Sequence, residues 1–238
     1  MNVITTIRHL FARPRRNSRP GITVAFLHIG DDHVLPRIML ASVRRAMPEA
    51  RIVQLTDETT APMAQVDEVV RKPYDGTHLM TFRLRHMADL QPRNTLFLDT
   101  DVVVQHDLAF LFGQEFDVAL TRRTGSIPDP NGVDGAALMP YNTGVMLSKA
   151  SGWDFWRQSC EYCESLHEQH RRWWGDQFAV REIAARSTFR VLDIPCDIYN
   201  YSPTFENEDV SARFVVHYKG RRKAWMLARA AAELNLNA

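Results

Sequence analysis

Residues 22–57 open with ITVAFL at 22–27, pass through the polar turn HIGDD at 28–32, continue as LPRIMLASVRRAM at 35–47 and close with RIVQL at 51–55. The first and last runs are short, apolar and rich in β-formers, as buried strands require. Between them the apolar residues recur at helical spacing until Pro48 stops the run. Strand, helix and strand with short connections make a βαβ unit. The expected fold class is therefore α/β, with a mostly parallel central sheet covered on its faces by helices.

Working outward, Val66–Val70 reads as a third strand and His78–Leu90 as a helix closed by Pro92. Thr95–Leu98 reads as a fourth strand, and Phe116–Leu120, Gly144–Leu147 and Arg213–Val216 as later ones. Ser151–His170, Asp176–Ala185 and Lys223–Leu234 have helical periodicity. Thr124–Pro140 holds three prolines and three glycines and reads as a long loop, of the kind that serves as a lid or a substrate surface.

The chain has 238 residues, 45% hydrophobic and 24% charged, enough to bury one core of the larger kind. Its net charge of +1, without a basic stripe, gives no footprint for a nucleic-acid partner. No apolar run approaches the roughly 18 residues of a membrane-spanning helix. Three cysteines, Cys160, Cys163 and Cys196, do not make a disulfide framework and suit a reducing cytoplasm. Residues 1–21 carry Arg8, Arg13, Arg15, Arg16 and Arg19 with no acidic residue, and Val3, Ile4, Ile7, Leu10 and Phe11 fall on one helical side. Two readings stay open for this extension: peripheral attachment to an anionic membrane surface, and an ordinary frayed or packed terminus. The remainder, 22–238, reads as one domain.

The chemistry concentrates at LFLDTDVVV, residues 96–104, where an apolar strand ends on Asp99-Thr100-Asp101. Ligands of open parallel sheets bind outside the carboxyl ends of the strands. Two carboxylates there repel each other unless a cation neutralises them, and a divalent ion so held could bridge to a diphosphate. The plainer alternative is a pair of solvated turn aspartates. Near the other end, RFVVHYKGRRKAW at 213–225 again sets polar groups after an apolar strand. His217 could offer imidazole to the same ion, which moves the expected metal from Mg²⁺ toward Mn²⁺. Gly220 permits close backbone approach to phosphate, and Lys223 stands near a helix start. A buried core histidine and a solvated charge run are the alternatives for this segment.

Cys160, Cys163, His167 and His170 have a zinc-like order. On one continuous helix, however, the outer pair lie about 15 Å apart at 1.5 Å per residue, too far for four ligands at about 2.0–2.3 Å. Trp153, Trp156, Trp173 and Trp174 read as core or lid packing, with sugar stacking a minority reading for the last two.

Taken together, Asp99-Thr100-Asp101 and the spaced His217, Gly220, Lys223 and Trp225 resemble glycosyltransferase family 8 on the GT-A fold. Thr81-Phe82-Arg83-Leu84 is similar to the family's arginine-bearing helix, Asn142-Thr143-Gly144-Val145-Met146-Leu147 to its Asn-x-Gly segment, and Asp176-Gln177 to its Asp-Gln pair. Ala224 departs from the usual proline, and Thr143 from the common Ser or Ala. The resemblance implies one GT-A (Rossmann-like) domain with a smaller antiparallel element near the active site. It implies Asp99, Asp101 and His217 as ligands of Mn²⁺ or Mg²⁺, with Asp99 also facing the nucleotide-diphosphate sugar donor. Gly220 and Lys223 would hold the diphosphate, Arg83 and Asn142 the donor sugar or diphosphate, and Asp176 and Gln177 the reacting sugar and acceptor. Asp32 and His33 would meet the base and ribose. It further implies hexose transfer from a UDP-sugar, with retention, to a glycan or glycolipid acceptor; cell-envelope polysaccharide or lipo-oligosaccharide assembly would suit a cytoplasmic enzyme with a basic N-terminus.

Two rivals differ in class. A phosphohydrolase of the haloacid dehalogenase type would also use Asp99 and Asp101, but its motif normally opens the domain, whereas a βαβ unit comes first here. A non-catalytic nucleotide-sugar-binding partner is the other.

Overall fold

The computed structural model describes residues 21–127, 134–172, 174–186 and 188–233. The basic extension (apart from Gly21), the middle of the 124–140 loop and Trp173 lie outside them. Five longer helices are labelled α1 (Val34–Ala46), α2 (Leu79–Asp89), α3 (Trp153–Ser165), α4 (Gly175–Arg186) and α5 (Lys223–Glu233). The strands are β1 (Thr23–Leu27), β2 (Arg51–Thr56), β3 (Glu68–Arg71), β4 (Thr95–Leu98), β5 (Val102–Val104), β6 (Val118–Arg122), β7 (Tyr141–Ser148), β8 (Val191–Pro195) and β9 (Val215–His217).

Seven strands form one sheet in the order β3-β2-β1-β4-β7-β6-β8. β3, β2, β1 and β4 run parallel, β7 is antiparallel to both its neighbours, and β8 is parallel to β6. Alternation sorts the strand residues to two faces. Val24, Phe26, Leu96 and Leu98 pack with Ile38, Met39, Leu40 and Val43 of α1 and Met226 of α5. Ala25, Val53, Leu55 and Phe97 pack instead with Leu84 and Met87 of α2, Phe155 and Trp156 of α3, and Val180 and Ile183 of α4. The chain walks from β1 out to β3 and then returns to β4 on the other side of β1. That reversal opens a crevice beyond the carboxyl ends of β1 and β4. No helix among the described residues is long and apolar enough to cross a membrane.

A two-stranded antiparallel sheet, β5 with β9, sits apart from the large one. Its register pairs Val102 with His217. This pairing is what carries the chain's tail back to the aspartates. It is clamped to α1, since the Val104 N–H donates to Ser42 Oγ at 3.0 Å and Ser42 Oγ donates to the Met39 carbonyl at 2.6 Å.

Several expected boundaries shift. β7 begins at Tyr141 rather than Gly144 and β6 ends at Arg122 rather than Leu120, so Asn142 lies within a strand. The helix expected over Ser151–His170 is broken: α3 ends at Ser165, Leu166 is extended, and a separate turn spans Glu168–Arg171. The four residues of zinc-like order therefore do not share one helix; Cys160 and Cys163 are buried, and the side chains among the described residues whose ligand atoms gather closely enough for a metal are Asp99, Asp101 and His217. Trp153 and Trp156 are core residues, whereas Trp174 is 41% exposed.

Candidate functional site

Asp99 is the first residue past β4, and its N–H donates to the Gly144 carbonyl of β7 at 2.9 Å, which fixes where the strand stops. Asp101 is fixed from the other side, its carbonyl accepting the Tyr218 N–H at 2.8 Å. The β5–β9 register then sets the His217 ring against both acids. Nε2 stands 3.0 Å from Asp101 Oδ1 and 3.6 Å from Asp99 Oδ2. One ligand atom from each of the three lies within 4.8 Å of the others. Two carboxylate oxygens and an imidazole nitrogen so gathered could hold a metal ion, and the donor set suits Mn²⁺ or Mg²⁺ rather than a thiolate-loving metal. The mid-chain aspartates and the tail histidine expected to converge do so.

His217 is 3% exposed and its other nitrogen is held. Nδ1 lies 2.7 Å from Asn200 Oδ1, while Asn200 Nδ2 donates to Asn142 Oδ1 at 2.7 Å and to Thr121 Oγ1 at 2.8 Å. Gly144 is part of the same fit. A Cβ there would stand 2.3 Å from His217 Cε1, so the ring rests where only glycine leaves room.

Behind the aspartates lies a buried ion group. Arg83, on the second turn of α2, approaches Asp99 Oδ1 at 3.0 Å and Asp176 Oδ2 at 3.4 Å and donates to the Thr143 carbonyl at 2.6 Å. Asp176 is 1% exposed at the start of α4, and its Oδ1 accepts the Gln177 N–H at 2.8 Å. Burial pushes the Asp176 carboxyl above its ordinary value, with Arg83 pulling the other way. Burial also works to raise Asp101, but the hydrogen bond and charge of His217 and the charge of Lys223 outweigh it, and Asp101 is held below the usual range.

Lys223 opens α5 with its Nζ 3.5 Å from Asp101 Oδ2. Gly220, in the turn before it, has φ +58°, a left-handed backbone that an L side chain would strain. Gln177 presents Oε1 to Arg123 Nη2 at 2.7 Å, and Arg123 also donates to the carbonyls of Met139 and Tyr141. Asp32 and His33 lie past the carboxyl end of β1. Asp32 Oδ1 accepts the Val34 N–H at 3.2 Å, and His33 Nδ1 sits 3.1 Å from Met63 Sδ.

Arg83 and Asn142, expected to reach the donor, are 5% and 6% exposed and bond to protein partners as described. Sequence reasoning missed Asn200 and Arg123. Neither follows a periodic pattern, and each acquires its partners only when distant segments meet. Lys219 was seen only as part of a charge run. It is half-buried with a depressed ammonium, first through burial, against which the Asp99 charge acts.

No family model matches the sequence, and no curated protein matches it. Solved structures do match. The glycosyltransferase GlyE of Streptococcus pneumoniae TIGR4 superposes with TM-score 0.58 at 16% identity, covering 92% of this chain and 64% of that one. The chain thus spans less than two thirds of GlyE. A glycosyltransferase involved in glycosylating the major capsid of PBCV-1 matches with TM-score 0.62 at 13% identity, over 90% of this chain and all 100% of that one. The galactosyltransferase LgtC, solved with donor and acceptor sugar analogs, matches with TM-score 0.56 at 16% identity, over 88% of this chain and 94% of that one. The fold is that of the GT-A-like glycosyltransferases.

Proposed function

We propose that this chain is a metal-dependent glycosyltransferase, moving a hexose from a nucleotide-diphosphate sugar, with UDP as the first nucleotide to try, to a glycan or lipid-linked acceptor. The observation that carries the reading is the meeting of Asp99, Asp101 and His217 beyond the carboxyl end of β4, on a fold shared with glycosyltransferases. A cation held by these three supplies positive charge to the diphosphate as its negative charge grows during departure. Lys223, 3.5 Å from Asp101, adds a second positive group at that place. Arg83 aims Asp99, and spares Asp176 the cost of a bare buried charge.

In this reading Asp176 and Gln177 line the reacting sugar. Arg123 can only donate, so it holds Gln177 by the amide oxygen. That bond withdraws density from the oxygen and suits a residue acting through its dipole rather than as a strong nucleophile. Transfer with retention, in which the departing phosphate oxygen takes the acceptor proton on the same face, needs no separate general base. In the same reading Gly220 takes the diphosphate by backbone approach, Asn142 meets the donor sugar, and Asp32 and His33 meet the base and ribose. The 22–238 segment acts as one catalytic domain. Residues 1–21 fit peripheral contact with the inner face of a membrane.

The phosphohydrolase reading gives the His217–Asp101 contact no role. A panel of nucleoside-diphosphate sugars tested for Mn²⁺-dependent hydrolysis without acceptor separates the two. Turnover of at least one sugar nucleotide, abolished by chelator, is expected. Phosphate release from simple phosphoesters with every sugar nucleotide left intact would overturn the proposal. For the productive donor, the anomeric configuration of the product reports retention.

A further inference from the structure

We infer that Asn200 is a positioning residue that fixes which nitrogen of His217 carries the proton, and so readies the other to bind the cation. The inference rests on the metal reading above for its purpose, though not for its geometry.

The assignment follows from groups whose roles cannot vary. The backbone N–H of Gly144 can only donate, and it points at the Asn142 side chain at 3.0 Å, so the atom there is the amide oxygen, Oδ1. The Asn200 atom 2.7 Å from that oxygen must then be its amide nitrogen. Thr121 agrees: its hydroxyl lies 2.6 Å from the Asn142 carbonyl and 3.1 Å from the Val145 carbonyl, both pure acceptors, so its proton is committed and it accepts from Asn200 at 2.8 Å. With nitrogen on that side, Asn200 shows its oxygen to His217 Nδ1 at 2.7 Å. Nδ1 must therefore donate. In the neutral ring Nε2 is then left with a lone pair, and this faces Asp101 at 3.0 Å and Asp99 at 3.6 Å.

A lone pair opposed to two carboxylates is a repulsive arrangement, relieved either by a second proton, on Nε2, which the ring then donates to Asp101, or by a cation between them that takes that proton's place. Asn200 and Thr121 are 0% exposed and Asn142 only 6%, so water has little chance to rewrite the chain of donors and acceptors. Outer partners of this kind commonly set the affinity of a metal-binding histidine.

The test begins with ¹⁵N-histidine NMR of the metal-free protein, the His217 signals assigned by their loss in His217→Gln. A proton on Nδ1 and a bare Nε2 in the neutral ring are expected; a neutral ring with its proton on Nε2 and a bare Nδ1 overturns the inference without any Asn200 variant. Mn²⁺ affinity, read by electron paramagnetic resonance, is then compared in wild type, Asn200→Leu and Asn200→Asp. Leu removes the acceptor at similar volume and should weaken binding roughly tenfold to a hundredfold. Asp keeps an acceptor for Nδ1–H and should bind Mn²⁺ more tightly than the Leu variant. A packing role alone predicts the reverse order, because Asp buries a charge, and that order would overturn the inference. Asp101→Asn serves as the control for the metal reading. Loss of Mn²⁺ there, with Asn200→Leu binding as well as wild type, would sink the role of Asn200 and leave the metal site standing. If wild type itself takes up no Mn²⁺, the metal reading fails, and the readiness of His217 for a cation fails with it.

Discussion

Two charged corners of this molecule are built from the same materials and behave differently. At the amino end of β6, Asp117 accepts from the Arg190 N–H at 2.9 Å, from Arg190 Nη2 at 3.0 Å and from Ser151 Oγ at 2.6 Å. Donors saturate it, and the Arg190 hydrogen bond foremost holds its carboxyl down to about 2. At the carboxyl end of β4, two carboxylates and a ring nitrogen face one another, with Arg83 and Lys223 reaching them from behind and beside. The first corner is complete as it stands. In the proposed reading a cation completes the second, and the difference teaches that clustered charge marks a site only when the protein's own donors and acceptors leave room for another group.

The largest effect should come from the second corner. Asp101→Ala should cut cation-dependent donor turnover roughly a thousandfold, as expected for losing several kcal/mol of charge stabilisation in the transition state. Its thermal midpoint should fall only slightly, because the lost contacts of Asp101 with His217 and Lys223 are partly offset by relief of its repulsion with Asp99; turnover within tenfold of wild type would erase the contrast. Arg83→Leu should instead lower stability by about 3–5 kcal/mol in urea unfolding, since it leaves Asp176 buried without its cation. A loss below about 1 kcal/mol would mean that Asp176 is neutral in the folded protein, as its upward push from burial allows.

Asp117→Asn should cost about 2 kcal/mol at neutral pH, typical of hydrogen bonds to a charged group, with turnover unchanged. The sign of its pH dependence is set by a depressed carboxylate. The wild-type advantage is present above the ordinary value of 3.8 and is lost as the pH falls through about 2, so the unfolding curves of the two proteins should merge in strong acid. A turnover defect in this variant would show that the two corners are not independent. The smallest effect is expected for Gly144→Ala, whose methyl would press on the His217 ring from 2.3 Å and weaken Mn²⁺ binding by about tenfold. Unchanged affinity would show that the ring has room to move.

The contrast also explains what could be read from the sequence. The βαβ unit, the strand ending on Asp99 and the order of the later elements follow from local periodicity, and the structure keeps them. β5 was hidden because three valines follow Asp101 with no turn residue to announce a new strand. β8 was hidden because an edge strand, VLDIP, buries little and ends in proline. At the site, the carboxylates and His217 stand beside apolar runs and so announce themselves. Asn200 and Arg123 owe their roles to contacts across many residues, such as Asn200 with Thr121 and Arg123 with Gln177, which no local pattern encodes.

Crystals soaked with Mn²⁺ and a nucleoside diphosphate, and measured at the manganese absorption edge, test the central claim directly. The account predicts an anomalous peak within bonding distance of Asp99, Asp101 and His217 Nε2, with the diphosphate reaching it from the side of Gly220 and Lys223. A bound nucleotide with no peak among those three residues, or with its manganese held by other side chains, would contradict it.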